Sequence, residues 1–431
     1  MEMKQSQLLS KLLVFFMMTI LFQSPALGGG SIRNTKHNLS TSGPGSIRAA
    51  SKDEICVFCH TPPNPMLNRF KWNRMNTTTS YTPYQSSTLR SKVGQPTGSS
   101  RLCLSCHDGT IALGAMITEP EEVRFKGGIR FMPEDKPSKI GTDLSDDHPI
   151  SMVYDAGLAA ENNELLSPSL LPLEIKLDDD DQLQCTSCHD PHDDTHGKFL
   201  VMSNRYSSLC TSCHVKEGWP QSSHAVSGTN VNRSERKIRE DMENRTVAEN
   251  GCENCHRPHT ASGHERLLIH RFEEDNCLVC HNGKVAVTDI ESDLSKTYSH
   301  PVQDYVGIHD AAEDFTSGDV LAHVECTDCH NPHQAGKETV ALSGLPGSNL
   351  GVVGINAGGQ QVAKAQSLNE ICFKCHSDHS MIAELQITRK IEQLNTRLEF
   401  SSGNPSHHPV GNLGVNADVP SLMSPWTVNS L

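Results

Sequence analysis

The residues of this 431-residue chain that could do chemistry are its 16 cysteines and 23 histidines. Every cysteine belongs to a C-x-x-C-H pentad, and eight pentads use all 16 with none left over. Two thiols three positions apart lie on one face of a helical turn. This is the attachment signature of c-type haem, in which both thiols form thioethers with one porphyrin and the histidine binds the iron as the proximal ligand. We number the pentads 1 to 8 in chain order. Their cysteines are Cys56, Cys59, Cys103, Cys106, Cys185, Cys188, Cys210, Cys213, Cys252, Cys255, Cys277, Cys280, Cys326, Cys329, Cys372 and Cys375, and their proximal histidines are His60, His107, His189, His214, His256, His281, His330 and His376.

Three other uses of paired cysteines explain the pentads less well. Zinc ribbons contain C-x-x-C pairs but do not require a histidine directly after each pair. Disulfides fit an even number of cysteines in an exported protein, but they leave the eight histidines unexplained. A thioredoxin-like C-x-x-C occurs once, in a βαβ context. The sequence therefore predicts eight covalently attached haem c groups as the cofactor, with iron as the metal.

The remaining 15 histidines are also patterned. Three pentads continue as C-H-x-P-H, and other histidines stand in H-P-V, H-P-I or H-A-V sequences. Looking for repeats sets the architecture, and here the repeat is C-x-x-C-H-x-P-H, then C-x-x-C-H, then H-P-V. A residue before proline is pushed out of the helical region, which helps a loop to present its side chain. The distal ligand candidates, one for each haem, are His37, His148, His192, His224, His259, His300, His333 and His408.

The first copy of the repeat is degenerate. Pro63 stands where the histidine of C-H-x-P-H is expected, and proline cannot bind iron, so His37 is the natural substitute. The other histidines are interpreted as surface residues or contacts to haem propionates, with His407, His270 and His323 as the nearest alternatives to the predicted distal ligands. The unassigned histidines are His196, His264, His270, His309, His323, His379 and His407.

These motifs resemble those of the multihaem c-type cytochromes with the doubled CXXCH motif, which are related to cytochrome c3. The resemblance rests on CTSCHDPH at Cys185, CENCHRPH at Cys252, CTDCHNPH at Cys326 and the H-P-V sequences, and it covers roughly residues 37–410. The segments HNLSTSGPG, EICVFCHTP and CLSCHDGTIAL near the first two pentads are similar to the same group. The resemblance implies electron transfer along closely spaced haems with two histidine ligands each. Pro63 is the departure from the family pattern.

The composition suits this interpretation. Hydrophobic residues make up 36% and aromatic residues 5%, which is little for a core of side chains alone, so we expect the porphyrins to form much of the interior. The predicted fold class is mainly irregular, with short α-helices, few strands and stacked haems as the core. The predicted segments are a signal peptide at 1–28, dihaem units at 29–155 (degenerate), 156–250, 251–310 and 311–410, and a tail at 411–431.

The start of the chain and the net charge limit location and partners. Lys4 and Lys11 precede or flank an apolar run at 12–22, and small residues follow, which is typical of a cleaved signal peptide. We therefore expect export to the periplasm or the outside of the cell, without stable membrane insertion. The formal charge of -14 argues against nucleic acid as a partner. The expected partners are redox proteins, namely other cytochromes and quinol-oxidising complexes, with self-assembly left open.

A haem with two histidine ligands has no free position for a substrate, so the expected function is electron transfer at low potential and not catalysis. Two alternatives remain. One is an octahaem reductase of nitrite, hydroxylamine or a sulfur oxyanion, which would need one haem with an open axial site. The other is a subunit of a cytochrome filament.

Overall fold

The computed structural model describes residues 30–62, 71–231, 245–303, 313–315, 323–337, 345–378, 390, 395–410, 416 and 418–424. The predicted signal peptide, Pro63, His309 and His379 lie outside these residues. So does most of the predicted tail.

Short helices joined by turns make up the regular structure. The α-helices are α1 Gly98–His107, α2 Ala156–Glu161, α3 Cys185–Cys188, α4 Ser208–Thr211, α5 Ser223–Val226, α6 Val247–Asn250, α7 Glu273–Leu278, α8 Ile290–Leu294, α9 Cys326–Cys329, α10 Leu368–His376 and α11 Thr396–Glu399. Single 3-10 turns occur at Ile32–Asn34, Cys56–Phe58, Lys126–Gly128, Pro168–Leu170, Arg205–Ser207, Trp219–Gln221, Gly251–Asn254, Glu265–Leu267 and Gly347–Asn349. The prediction of a mainly irregular fold is confirmed.

Two small antiparallel sheets are present among the described residues. Strand β1 (Met152–Val153) pairs with β2 (Gln182–Leu183), with Met152 opposite Leu183. Strand β3 (Gly354–Ile355) pairs with β4 (Gln361–Val362), with Gly354 opposite Val362. Each strand is two residues long, so the sheets fasten loops and do not form a layer of their own.

The pentads occupy single helical turns, as the spacing of their thiols requires. Helices α3 and α9 consist of the four residues C-x-x-C alone. Helices α1 and α10 instead end at the proximal histidines His107 and His376. The longest helix among the described residues, α1, has 10 residues, whereas a membrane-spanning helix needs about 20 apolar residues. No stretch of helix in the described part of the chain is both long and apolar enough to cross a bilayer.

The chain folds into two compact units, which interleave in sequence. The first comprises Met1–Thr77, Arg101–Lys139 and Cys185–Ser203 and holds pentads 1 to 3, and the second comprises Thr78–Ser100, Ile140–Gln184 and Asn204–Leu431 and holds pentads 4 to 8. The dihaem boundaries drawn from the sequence stay a prediction.

Each apolar cluster is small, and several lie directly against a pentad cysteine. The largest of those described, in the first unit, packs Cys59 and Cys106 against six buried side chains. Its buried members are Ala49, Phe58, Leu113, Met116, Phe125 and Met132. In the second unit, clusters of three buried residues pack against Cys280 and Cys329. The side-chain cores therefore gather around the positions where haem would be attached.

Arg74 holds the loops of the first unit together from within. Its side chain is buried, and its guanidinium donates to the carbonyl oxygens of Leu113 at 2.7 Å, Ala112 at 2.9 Å and Ser105 at 3.1 Å. Removal of the Arg74 side chain would leave these three carbonyl oxygens without their donor. An unsatisfied buried carbonyl costs more free energy than a surface ion pair contributes.

We expect Arg74→Met to lower the free energy of unfolding by roughly 3 kcal/mol, because three buried carbonyls lose a charged donor. Denaturant unfolding of the haem-loaded protein, followed by Soret absorbance, measures this. Arg130→Met is the matched control: Arg130 pairs with Glu122 at the surface, so its loss should leave the midpoint unchanged. Equal effects of the two substitutions would contradict the role given to Arg74.

Candidate haem-binding sites

The pentad thiols are mostly withdrawn from solvent. None of the 16 forms a disulfide, and only Cys56 and Cys372 are exposed. Burial raises the pKa of Cys59 to about 12 and that of Cys213 to about 11, because a thiolate loses hydration in an apolar environment. Such thiols are poor general nucleophiles, and they suit attachment chemistry that is catalysed by a maturation system.

Neighbouring pentads are brought into contact through their first cysteines. The pKa values of Cys103, Cys210 and Cys277 are raised chiefly by a neighbouring thiol, which belongs to Cys185, Cys252 and Cys326 in turn. The partners belong to consecutive pentads: 2 with 3, 4 with 5 and 6 with 7. Two haems attached at such a pair of thiols would therefore be anchored next to each other in space.

Ten imidazoles form five facing pairs, each joining a proximal histidine to a histidine from the distal set. The ring centroids are 6.1 Å apart for His37 with His107, 6.1 Å for His60 with His192, 6.2 Å for His148 with His214, 6.2 Å for His224 with His281, and 6.3 Å for His256 with His333. In every pair both residues belong to the same compact unit.

This spacing is a test of whether the residues fit a haem iron. A bond from a first-row metal to an imidazole nitrogen is about 2 Å long. Two such nitrogens on opposite sides of one metal are therefore about 4 Å apart, which places the ring centroids roughly 6 Å apart. Aromatic rings that pack only through van der Waals contact have a wider range of centroid separations, about 4.5–7 Å. Five separations between 6.1 and 6.3 Å fit the haem.

Burial favours the neutral form that metals bind at seven of the ten paired imidazoles. It lowers the pKa of His214 and of His333 to about 3, with nearby histidines and Lys216 lowering it further. Burial is also the leading cause of lowered pKa values at the other buried imidazoles of these pairs. They are His37, His60, His148, His256 and His281.

Backbone carbonyls fix the orientation of the proximal rings, as expected for ligands that need one tautomer. The Nδ1 atom of His107 lies 2.7 Å from the carbonyl oxygen of Ser138, and that of His330 lies 2.9 Å from that of Ser348. In two further pentads the carbonyl belongs to a strained loop residue: His189 Nδ1 lies 2.8 Å from Lys198 O, and His256 Nδ1 lies 2.8 Å from Arg266 O.

Lys198 and Arg266 occupy equivalent places in two copies of the repeat. Both have a positive φ, 54° and 58°, which side chains other than glycine rarely adopt. In each copy the loop then returns to the pentad, where the backbone forms an isolated antiparallel β-bridge. The bridges join His189 to Leu200 and His256 to Leu268. No local residue pattern marks these loops, since neither has a glycine at the position of positive φ.

Three of the predicted distal ligands are not among the five facing pairs. His259 Nδ1 lies 2.9 Å from the Oδ1 atom of Asp147, whereas His300 and His408 are exposed. For His330 and His376 the described residues supply no facing imidazole. His37, predicted as the substitute for the histidine missing at Pro63, faces His107, and His60 faces His192.

One unassigned histidine lies in a buried polar cluster. His323 has a 5% exposed side chain, with its Nε2 atom 3.7 Å from Glu313 Oε2 and 4.0 Å from Glu325 Oε2. Glu313, His323 and Asp328 lie close enough together to share one ion. The cluster borders pentad 7, and the sequence had made His323 only an alternative distal ligand.

Comparison with known proteins agrees with this chemistry. The model of the doubled CXXCH motif family matches residues 179–218 and 245–286, which hold pentads 3 and 4 and pentads 5 and 6. A multiheme cytochrome named MtrA from Shewanella baltica (strain OS185) is 24% identical over 273 residues. The match covers 55% of this chain and 62% of that cytochrome, so the chain spans less than two thirds of the relative's length.

We expect His148→Ala to open one iron to external ligands, because His148 faces His214 across a haem-sized gap. The reduced variant should bind about one carbon monoxide per protein, measured by the Soret shift, whereas the parent binds none. His196→Ala is the control, since His196 is exposed and lies outside the facing pairs. Carbon monoxide binding by both variants, or by neither, would refute the assignment of His148.

Proposed function

Because this chain is a multihaem c-type cytochrome with the doubled CXXCH motif, we propose that it carries electrons along eight low-potential haems, each held between two histidines. The observation that carries the proposal is the set of five imidazole pairs with centroids 6.1–6.3 Å apart. When bound, each haem supplies one reversible electron at its iron. The chain's residues attach the porphyrin, orient the axial rings and exclude other ligands from the iron.

The proposed ligand set extends beyond the five pairs. His259, His300 and His408 remain the distal candidates for the other haems. The paired histidines of the second unit suggest how two of them are used: His224 precedes pentad 5 and faces the proximal histidine of pentad 6. By the same offset His300, which precedes pentad 7, would serve His376 of pentad 8, which leaves His408 for His330.

Several features favour transfer over catalysis. Imidazoles on both faces of the iron leave no position for a substrate. The thioether ligand that raises the potential in His/Met cytochromes has no counterpart in the facing pairs, all of which are imidazole with imidazole. Contacts at Cys103–Cys185, Cys210–Cys252 and Cys277–Cys326 would place the attachment points of pentads 2 and 3, 4 and 5, and 6 and 7 next to each other.

The charge and the start of the chain support a location and a kind of partner. The apolar run at 12–22 behind Lys4 and Lys11 suits export to the periplasm or beyond. A net charge of -14 favours docking of partners with a basic surface, through contacts that weaken as salt is added. We therefore propose that the chain exchanges electrons with other exported cytochromes and quinol-oxidising complexes.

The test is to produce the full chain in a host that matures c-type cytochromes and to titrate it electrochemically. We expect eight covalent haems by intact mass, low-spin spectra in both oxidation states, and reduction entirely at negative potentials. Steady turnover of nitrite or hydroxylamine together with a high-spin fraction near one eighth of the iron would instead support the reductase. A colourless or zinc-containing product would refute haem binding altogether.

A further inference from the structure

The five facing pairs fall into two groups by the angle between the imidazole planes. The planes are nearly parallel in His60 with His192, at 14°, and in His256 with His333, at 11°. They are crossed in the other three pairs. The crossed pairs are His37 with His107 at 69°, His148 with His214 at 75°, and His224 with His281 at 81°.

The two groups follow the origin of the distal histidine. In both near-parallel pairs the distal residue is the last histidine of a C-H-x-P-H sequence, and the proximal residue belongs to an odd-numbered pentad. In the three crossed pairs the distal residue comes from outside that motif, and the proximal residue belongs to pentad 2, 4 or 6.

The x-P-H tripeptide fixes its own histidine through a local turn. The backbone N–H of His192 donates to Asp190 Oδ1 at 2.9 Å, and the N–H of His333 donates to Asn331 Oδ1 at 3.0 Å. Aspartate and asparagine commonly close such a turn onto the residue two positions on. In the tripeptide that follows pentad 3, Asp190 Oδ1 also lies 3.1 Å from His192 Nδ1, so the same carboxylate orients the ring itself.

The proline of the same tripeptide holds the distal histidine of the next haem. The Nδ1 atom of His37 lies 3.0 Å from the carbonyl oxygen of Pro191, and that of His224 lies 2.9 Å from that of Pro332. At the tripeptide that follows pentad 5, the backbone N–H of His148 donates to the carbonyl oxygen of Pro258, at 2.8 Å. One tripeptide thus positions two distal imidazoles that face consecutive pentads, 1 and 2 for Asp190–His192 and 5 and 6 for Asn331–His333.

The angle between two axial imidazoles changes the electronic state of the iron between them. Each ring has a filled π orbital perpendicular to its plane, which overlaps with one of two iron d orbitals of nearly equal energy. Parallel rings act on the same orbital and separate the two energies, whereas crossed rings act on one each and leave them close. The axial ligands and their hydrogen bonds also set the reduction potential.

We propose that the x-P-H tripeptides are positioning elements that give the haems two alternating electronic types: split at pentads 1 and 5, and nearly degenerate at pentads 2, 4 and 6. This inference rests on the proposed haem ligation. It assigns to Asp190, Pro191 and their equivalents a role that goes beyond supplying ligands. Electrons moving along the chain would meet sites of alternating type and not eight equal ones.

The test is low-temperature electron paramagnetic resonance of the oxidised, full-length protein and four variants. Split irons give a rhombic three-line spectrum, and nearly degenerate irons give one broad feature at extreme low field. We expect both in the parent. His192→Ala should reduce only the rhombic intensity. His224→Ala should reduce only the low-field feature, by about a third of the part that the three crossed pairs contribute. Each variant should also show a high-spin signal.

Substitution of the positioning residue separates orientation from mere folding. Asp190→Ala should shift or broaden the rhombic spectrum while the haem count stays at eight, because the ring of His192 loses its acceptor but the ligand remains. Asp190→Asn should restore the parent spectrum, since asparagine holds the equivalent place at Asn331.

The possible results distinguish the inference from the proposal beneath it. An oxidised protein that is low-spin but wholly rhombic, or a His192→Ala variant that loses the low-field feature, overturns the two types and leaves haem ligation standing. An unchanged spectrum in Asp190→Ala refutes the positioning role. A parent that is mostly high-spin, or that lacks haem, refutes the ligation itself.

Discussion

The constraint on which the rest of this structure depends is the distance between two imidazoles that share one metal. A gap of about 4 Å between the ligand nitrogens is too wide for direct contact and too narrow for another side chain. Five imidazole pairs have the centroid separation that this gap requires, and the paired segments are up to 132 residues apart in sequence (His60 and His192). Turns, strained loops and buried polar contacts around the pentads all serve to hold loops at that separation.

This constraint explains why so little regular structure is needed. Helices of four residues cannot be stable by themselves, and the apolar clusters hold only a few side chains each. The clusters pack against Cys59, Cys106, Cys280 and Cys329, so the attached porphyrins would complete them. Where the chain makes an internal framework of its own, it uses buried polar groups such as Arg74, which binds three carbonyls at once.

The repeat acquires a physical meaning from the ligand pairs. A C-H-x-P-H sequence does not place its second histidine opposite its own pentad. His192 follows pentad 3 and faces pentad 1, and His333 follows pentad 7 and faces pentad 5. Ligands donated from one copy of the repeat to another tie the copies together: four of the five pairs join two copies, and the pair of His37 with His107 lies within the first. Consecutive sites also share one tripeptide, as Asp190–His192 does for the first two pentads.

The sequence by itself predicted covalent haem, the proximal ligands and a set of distal candidates, because those predictions depend on residue types and short spacings. The C-x-x-C-H pentad is a local unit, and ten of the predicted histidine ligands, five proximal and five distal, meet in pairs in the structure. Which distal histidine faces which pentad was decided only by the tertiary structure, because the two are far apart in the chain and several candidates have the same local motif. The same holds for the ring angles and for the positive φ of Lys198 and Arg266. They follow from where distant loops meet, which no local pattern of residues encodes.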